Sequence, residues 1–520
     1  MSEPGKLSTL RIDGGMALAL SGEVLRSIDS RDIARFLAAS RWFGGKGREP
    51  SSVRFAEVIP VEWDGDRAAV ARVLVTTADG TEASYQLPLV AREAEMGAPH
   101  APPAHAVLAM VDASGVRGLL FDALHDPRFR ARLAIALERG ASFGGEGAHW
   151  TMEPVAKEME SLGPLASRLA AGEQSNSSVI YGDRAILKLF RKLELGVNPD
   201  VEVTRFLTTR TSFRHTPALL AELRFEAAPP SDSTTPVPAD RGYVAGMLSR
   251  FVPGAVDGWS YALEDIRSCL GVHSNGGEPS SPFVADASRL GEITRELHDA
   301  LASDDTDPAF ATEPVTAADV VRWAEGTRRT IDSALGLLAS KIPSLDGRTA
   351  AMSRAIVGRS AAIHELLEEA VNGVRGESAW EQGVKSRTHG DYHLGQLLHA
   401  PDGRWYIIDF EGEPARPLAG RRALTSPARD VAGMLRSFAY VAATGAAEAG
   451  GLGTNPATEI RSANWERDSS AAFLAAYGAD ADDPLIELFE MEKMFYELEY
   501  ELNNRPGWVW VPLRAIARLF

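Results

Sequence analysis

The run His389-Gly390-Asp391-Tyr392-His393-Leu394-Gly395-Gln396, with Trp405 to Glu413 behind it, is the most informative stretch of the chain. Phosphoryl transfer needs one carboxylate to accept or orient the attacking hydroxyl proton. It also needs two further oxygen ligands to hold magnesium against the phosphates. One known solution is an Asp, a side-chain amide five positions later, and a second Asp that ends a strand. Asp391 and Gln396 are five apart, and an amide oxygen ligates a hard cation from Gln as well as from Asn. Asp409 follows the β-prone run Trp405 to Ile408, so its carboxylate is expected at a strand end.

Two other readings of these residues stay open. His389, Asp391 and His393 spell a cluster that could hold a transition metal in a hydrolase, though this leaves Gln396 without a role. Asp409, Glu411 and Glu413 could form an acid/base pair of the glycosidase kind, provided the strand continues. Gly412 and Pro414 argue that it stops.

A nucleotide would need a cation on its phosphates. Lys188 sits in Ala185-Ile186-Leu187-Lys188-Leu189-Phe190, otherwise apolar on both faces, where a lysine is costly unless it is paired. Fourteen residues on, Asn198 reads as an N-cap, Pro199 as the first helical residue, and Glu202 as the candidate partner of Lys188. A plain dipole-complementing role in the first turn would suit Glu202 as well. No glycine-rich loop precedes this strand; Gln174, Ser175, Asn176 and Ser177 stand in its place with amides and hydroxyls for phosphate oxygens.

The elements that must position these groups change character along the chain. Residues 1–105 read as a small mixed unit, with a helix over Arg31 to Ser40 and strands near Val53–Pro60, Ala68–Thr76 and Ser84–Ala91. Residues 98–105 look like a linker, and Gly118 to Leu137 looks helical. Residues 106–252 hold the hairpin around Gly182-Asp183-Arg184 and a Pro/Ser/Thr-rich loop at 226–240. Residues 253–520 are mainly helical, with periodic segments near 287–303, 315–340, 347–373, 427–445 and 483–504. A β-rich half followed by a helical half is an α+β pattern with two lobes.

Composition narrows the class. With 54 Lys+Arg against 71 Asp+Glu the net charge is −17, which argues against a nucleic-acid partner. The single cysteine, Cys269, can form neither an intrachain disulfide nor a Cys-based zinc site. No uninterrupted apolar stretch of about 18 residues occurs, so a cytoplasmic protein without a membrane anchor is expected.

Together these residues resemble the aminoglycoside-phosphotransferase-like kinases, and within them the bacterial maltokinases. The likeness is carried by Glu173 to Asn176, Lys188 to Arg191, Gly196 to Pro199, His389 to Gln396, Asp409 to Pro417 (DFEGEPARP) and Ser426 to Phe438. It is carried also by Arg41-Trp42-Phe43-Gly44 near the start and by Glu492 to Pro506 near the end. The resemblance implies a two-lobed protein-kinase-like fold with an extra N-terminal cap, and ATP-dependent phosphorylation of maltose to maltose 1-phosphate for glycogen and α-glucan synthesis. It implies Asp391 as base, Gln396 and Asp409 as magnesium ligands, and Lys188 as phosphate clamp. His389, Glu411, Tyr496, Glu497, Tyr500 and Arg505 become candidate sugar contacts. Relatives that phosphorylate glucosamine or another monosaccharide share the transfer residues. An inactive kinase-fold binding module is the reading from another class. Fusion of related enzymes to trehalose synthase makes that enzyme a conceivable partner of an otherwise monomeric protein.

Replacing Asp391 by Asn is expected to lower turnover about 10²–10⁴-fold while nucleotide binding is largely kept. Near-wild-type turnover in a coupled ADP-release assay would remove the base assignment.

Overall fold

The computed structural model describes residues 7–44, 50–98, 100–156, 161–163, 165–170, 175–227, 242–271, 281–376, 383–413, 416–450 and 455–520. By its internal contacts the chain divides into two compact units, Met1–Arg205 with Pro217–Pro253, and Phe206–Thr216 with Gly254–Phe520. The first is β-rich and the second mainly helical.

Two sheets build the first unit among its described residues. In the first sheet the spatial order is Thr9–Ile12, Val107–Ala113, Val116–Asp122, Glu82–Glu93, Asp66–Thr77 and Pro50–Trp63, with Lys192–Leu193 also paired to Glu82–Glu93. Its strands are buried on both faces, against Ile33, Phe36 and Leu37 of the helix Ser30–Ala39 on one side and Phe129 and Leu133 of the helix Pro127–Arg139 on the other. The second sheet runs Ser142–Gly145, Ala148–Pro154, Leu219–Glu226, Tyr243–Arg250, Ala185–Phe190, Asn176–Tyr181 and Ser167–Leu169. Tyr181 pairs with Ala185 across the Gly182 turn, whose φ of 57° suits glycine.

The boundary expected at residue 105 falls inside the first sheet. Val107–Ala113 and Val116–Asp122 continue it, and Val116–Asp122 is a strand where a helix was expected. Gly118-Leu119-Leu120-Phe121 is apolar without alternation because both faces are covered, and such a run does not separate strand from buried helix by period alone. Residues 228–241, most of the expected loop at 226–240, lie outside the described residues.

In the second unit the helices Phe283–Leu301, Ala317–Lys341, Ala428–Glu448, Pro456–Tyr477 and Pro484–Asn504 enclose the core. Phe283, Phe438, Trp465 and Phe473 meet there in edge and stacked contacts. The periodic segment 347–373 is two helices, Gly347–Val357 and Ser360–Gly376. Three short strands, Val256–Asp257, Leu397–His399 and Trp405–Ile407, form an antiparallel ribbon. Phe206–Thr216 belongs to this unit because the Ile407 amide donates to the His215 carbonyl (2.7 Å), and the His215 ring bonds the Trp405 carbonyl (2.9 Å). No helix among the described residues is long and apolar enough to cross a membrane.

One face of the helix Ala428–Glu448 positions the loop that carries Asp391. Asp430, Gly433 and Ser437 recur at helical spacing and all meet the loop. Asp430 accepts the amides of His389 (2.7 Å) and Gly390 (2.9 Å), and the Ser437 hydroxyl accepts that of Leu394 (3.1 Å). Between them the Tyr392 carbonyl lies 2.5 Å from where a Cβ on Gly433 would stand, so only glycine permits this approach. Gly433→Ala is therefore expected to cost about 1–3 kcal/mol of stability by overpacking. Turnover should fall with it, because the loop must retreat. A variant with unchanged denaturant midpoint and unchanged kcat would show that the contact is not a constraint.

Candidate active site

Asp391 stands in a largely buried network of alternating charges. The ammonium of Lys493, on the helix Pro484–Asn504, lies 3.0 Å from Asp391 Oδ1 and 3.2 Å from Glu413 Oε1. The second Glu413 oxygen takes Arg416 at 2.7 Å. Arg416 reaches Glu492 at 3.1 Å, and the other Glu492 oxygen is 2.9 Å from Arg429. Burial opposes the charges of Asp391, Glu413, Arg416 and Lys493, and each of these is kept by its neighbours of opposite sign. For Asp391 burial acts upward, but Lys493, with His393, outweighs it and holds the carboxyl down at about 2. Glu413 is likewise held low by Lys493 and Arg416 against burial. The Lys493 ammonium is raised by Asp391 and Glu413 despite its desolvation.

The other oxygen, Asp391 Oδ2, lies 3.8 Å from His393 Nε2. Asp391, Glu413, Arg416, Arg429, Lys493 and Tyr496 line a cavity of about 200 Å³. A second cavity, of about 300 Å³, shares Gly390, Glu413, Arg416, Arg429 and Glu492 with the first and adds Arg322, Trp323, Arg329 and Arg421. Burial pushes the Tyr496 hydroxyl up to about 12, so it is a neutral hydrogen-bonding group across the working pH range.

Behind the loop, His389 is buried and serves the backbone. Its Nε2 donates to the Ile408 carbonyl (2.9 Å), tying the Asp391 loop to the strand end at Asp409. Asp430 is held below the usual carboxylate range against its burial by His298, whose Nε2 donates to it at 3.1 Å. The Ile408 amide donates to the Gln396 carbonyl (3.0 Å), so the Gln396 and Asp409 segments run side by side. Asp409 has a left-handed backbone, φ 68°, which Asp tolerates better than most residues. Carboxylate oxygens of Asp409 and Glu411 lie within 4.8 Å of each other. An all-oxygen set of this kind suits a hard divalent cation.

The first unit holds the nucleotide candidates. Lys188 Nζ lies 3.0 Å from Asp200 Oδ2, an ion pair to the helix whose first turn also carries Glu202. Asn198 Oδ1 accepts the amides of Asp200 (2.9 Å) and Val201 (3.3 Å), and Pro199 opens the helix. Ser178 stands directly opposite Lys188 in the strand pairing. Ser175 is exposed, Asn176 is half-buried, and the Ser177 hydroxyl accepts from Arg191 Nε at 2.8 Å. Gln174 lies outside the described residues.

Among the candidate sugar contacts, Tyr496 lines the cavity beside Asp391. Glu497 is committed to Arg436 at 2.9 Å. Arg505 lies over the rings of Tyr500 and Trp508, 5.4 and 5.2 Å from their centroids, and pairs with Glu501. His389 is spent on the backbone, and Glu411 sits by Asp409, whereas Glu413 lines the cavity. Lys493, Arg416 and Asp430 were given no role from sequence, and Glu413 only in the glycosidase-type alternative. The repeated acidic-basic pairing in DFEGEPAR and at Glu492-Lys493 was the available signal.

Against known proteins, residues 36–126 match the maltokinase N-terminal cap domain. A glucosamine kinase of Streptacidiphilus jiangxiensis is 28% identical over 350 residues, 65% of this chain and 70% of that one. A glucosamine kinase of Mycolicibacterium smegmatis is 28% identical over 373 residues, 68% and 81% of the two chains. A solved glucosamine kinase (crystal form B) superposes with a TM-score of 0.63 at 23% identity, covering 96% of this chain and 99% of that one. A glucosamine kinase in complex with glucosamine, ADP and inorganic phosphate gives 0.60 at 23% identity, covering 94% and 99%. The fold is that of a two-lobed kinase. It is mixed α+β, with a cap ahead of a β-rich lobe and a helical lobe after it.

Removing Lys493 leaves the burial of Asp391 unopposed by its main partner. In Lys493→Met the acid limb of kcat/KM is expected to move up by about 1–3 pH units, because a depressed carboxylate pKa rises when its cation goes. Lys493→Arg should restore most of the limb. An acid limb that stays in place in Lys493→Met would show that the lysine does not set the ionisation of Asp391.

Proposed function

We propose that this chain is an ATP-dependent sugar kinase that transfers the γ-phosphoryl group to the anomeric hydroxyl of maltose, giving maltose 1-phosphate. In this reading Asp391 Oδ2 receives the proton of the attacking hydroxyl while Lys493 keeps Oδ1 fixed and the carboxyl ionised. A carboxyl held at about 2 is a weak base, which suits a loose transition state in which orienting the hydroxyl matters more than removing its proton early. Lys188, held by Asp200, is the phosphate clamp, and Gln396, Asp409 and Glu411 would hold magnesium, which when bound neutralises phosphate charge. Tyr496 and Glu413 are the neutral and charged partners for sugar hydroxyls.

The observation that favours a disaccharide is the second cavity. It shares Gly390, Glu413, Arg416, Arg429 and Glu492 with the one beside Asp391, counts Trp323 among its lining residues, and sets five guanidinium groups against two carboxylates. That lining offers donors to neutral hydroxyls and repels an ammonium. The maltokinase-type cap supports the same choice. Glucosamine is the second reading, supported by the names of the relatives at 28% identity.

A coupled ADP-release assay with MgATP and separate maltose, glucose, glucosamine, trehalose and maltotriose tests both. Turnover on maltose with little on glucosamine is expected. Turnover on glucosamine alone would overturn the acceptor and keep the chemistry.

A further inference from the structure

The strand Ala185–Phe190, which carries Lys188, leaves the second sheet two residues after that lysine, and its exit strands two carbonyls. Its ladder with Tyr243–Arg250 ends at the pair Leu189 and Gly246, so Phe190 and Ala245 lie just beyond it. On the other side of Ala245 the ladder with Leu219–Glu226 shifts register, from Leu223 opposite Gly246 to Arg224 opposite Val244, and passes Ala245 over. Phe190 and Ala245 are both buried, so their carbonyls must find a partner inside the protein.

Gln86, on the strand Glu82–Glu93 of the first sheet, is fully buried and supplies that partner. Its Nε2 donates to the Phe190 carbonyl (2.6 Å) and to the Ala245 carbonyl, and its backbone amide donates to the Arg191 carbonyl (2.8 Å). The chain then continues as Lys192–Leu193, paired with Tyr85 and Ser84 of the same strand. Only the nitrogen end of a carboxamide can serve two carbonyls, since Oε1 in that place would bring three acceptors together. Gln86 also lies inside residues 36–126, the stretch that matches the maltokinase N-terminal cap. A cap side chain thus ties the first sheet to the second where the Lys188 strand ends.

Phe190 carries the contact onward to the ammonium. Its ring lies 5.5 Å from Lys188 Nζ and packs with Val201, Val244 and Met247. Val201 follows Asp200, whose carboxylate pairs with the same Nζ at 3.0 Å. Gly246 keeps the neighbouring strand close, because a Cβ there would stand 2.7 Å from the Lys188 carbonyl. We propose that Gln86 is a positioning residue for Lys188, acting through Phe190, so that the cap contributes to the affinity for the phosphates of a nucleoside triphosphate. This rests on the reading of Lys188 as phosphate clamp.

Calorimetric titration of the full chain with MgATP, without acceptor, in a double-mutant cycle of Gln86→Met and Lys188→Met tests this. Gln86→Met keeps the length of the side chain and removes both donations. Lys188→Met is expected to weaken binding about 10–100-fold, as befits loss of a charge-assisted contact. Gln86→Met alone is expected to weaken it about 3–30-fold, and less than about twofold once Lys188 is already gone, because its effect passes through that lysine. A merely structural role would lower the thermal midpoint and cost the same factor in both backgrounds, and such additivity would overturn the proposal. So would unchanged MgATP affinity in Gln86→Met while Lys188→Met still weakens binding. Lys188→Met without effect would instead overturn the clamp reading, and the proposal with it. If Gln86→Met does not fold, Phe190→Leu takes its place in the cycle, keeping an apolar side chain against Val201 and removing the ring beside the ammonium. The same coupling is then expected, and additivity would again overturn the proposal.

Discussion

A buried ammonium shared by two carboxylates is the constraint on which the rest of the helical unit depends. Lys493 is surrounded by groups that would be intolerable without it. Asp391 and Glu413 are both ionised in a desolvated place, and like charges there would drive one of them to take up a proton. With the cation between them, and Arg416 beyond Glu413, these four groups stay charged, and ion pairs to Glu492 and on to Arg429 continue the alternation. Removing one member of a buried pair typically costs about 3–5 kcal/mol because the partner is left uncompensated. Such a network is therefore held together or lost together, and it fixes where the Asp391 carboxylate points.

Position is supplied from behind by backbone contacts. The helix Ala428–Glu448 meets the Asp391 loop at Asp430, Gly433 and Ser437, on one helical face. Asp430 is itself oriented by His298, and the Tyr477 hydroxyl bonds the other His298 ring nitrogen at 2.9 Å. From the strand side, His389 ties the same loop to Ile408, one residue before Asp409. Asp391 and Asp409, the base and a metal ligand of the proposed function, are thus joined through the His389 imidazole.

The parts legible from sequence were those whose logic is local. The five-residue spacing of Asp391 and Gln396, the strand end at Asp409, and the Asn198-Pro199 helix start are written in consecutive residues. The β-rich and helical halves follow from periodicity, and the fold agrees with that order. The failures have physical reasons. Lys493 is 102 residues from Asp391, and nothing local to an amphipathic helix says which of its charges turns inward. Of the helix expected over Gly118 to Leu137, the part from Pro127 is helix, whereas Gly118 to Asp122 is strand because its two covered faces erase the alternation that marks one. The C-terminal aromatic and charged residues divide between the cavity and separate stacks, a partition that spacing alone does not reveal.

The central claim is that Asp391 is kept ionised by Lys493 far below the range of ordinary carboxyls. Its most direct test is ¹³C NMR titration of the side-chain carboxyls in the resting full-length enzyme, with Asp391 assigned by its absence in Asp391→Asn. The account predicts that this carboxyl stays ionised as the pH falls past about 4, the ordinary value, and titrates near 2 or only with acid unfolding. A signal that titrates at or above about 4 in the folded protein would contradict it.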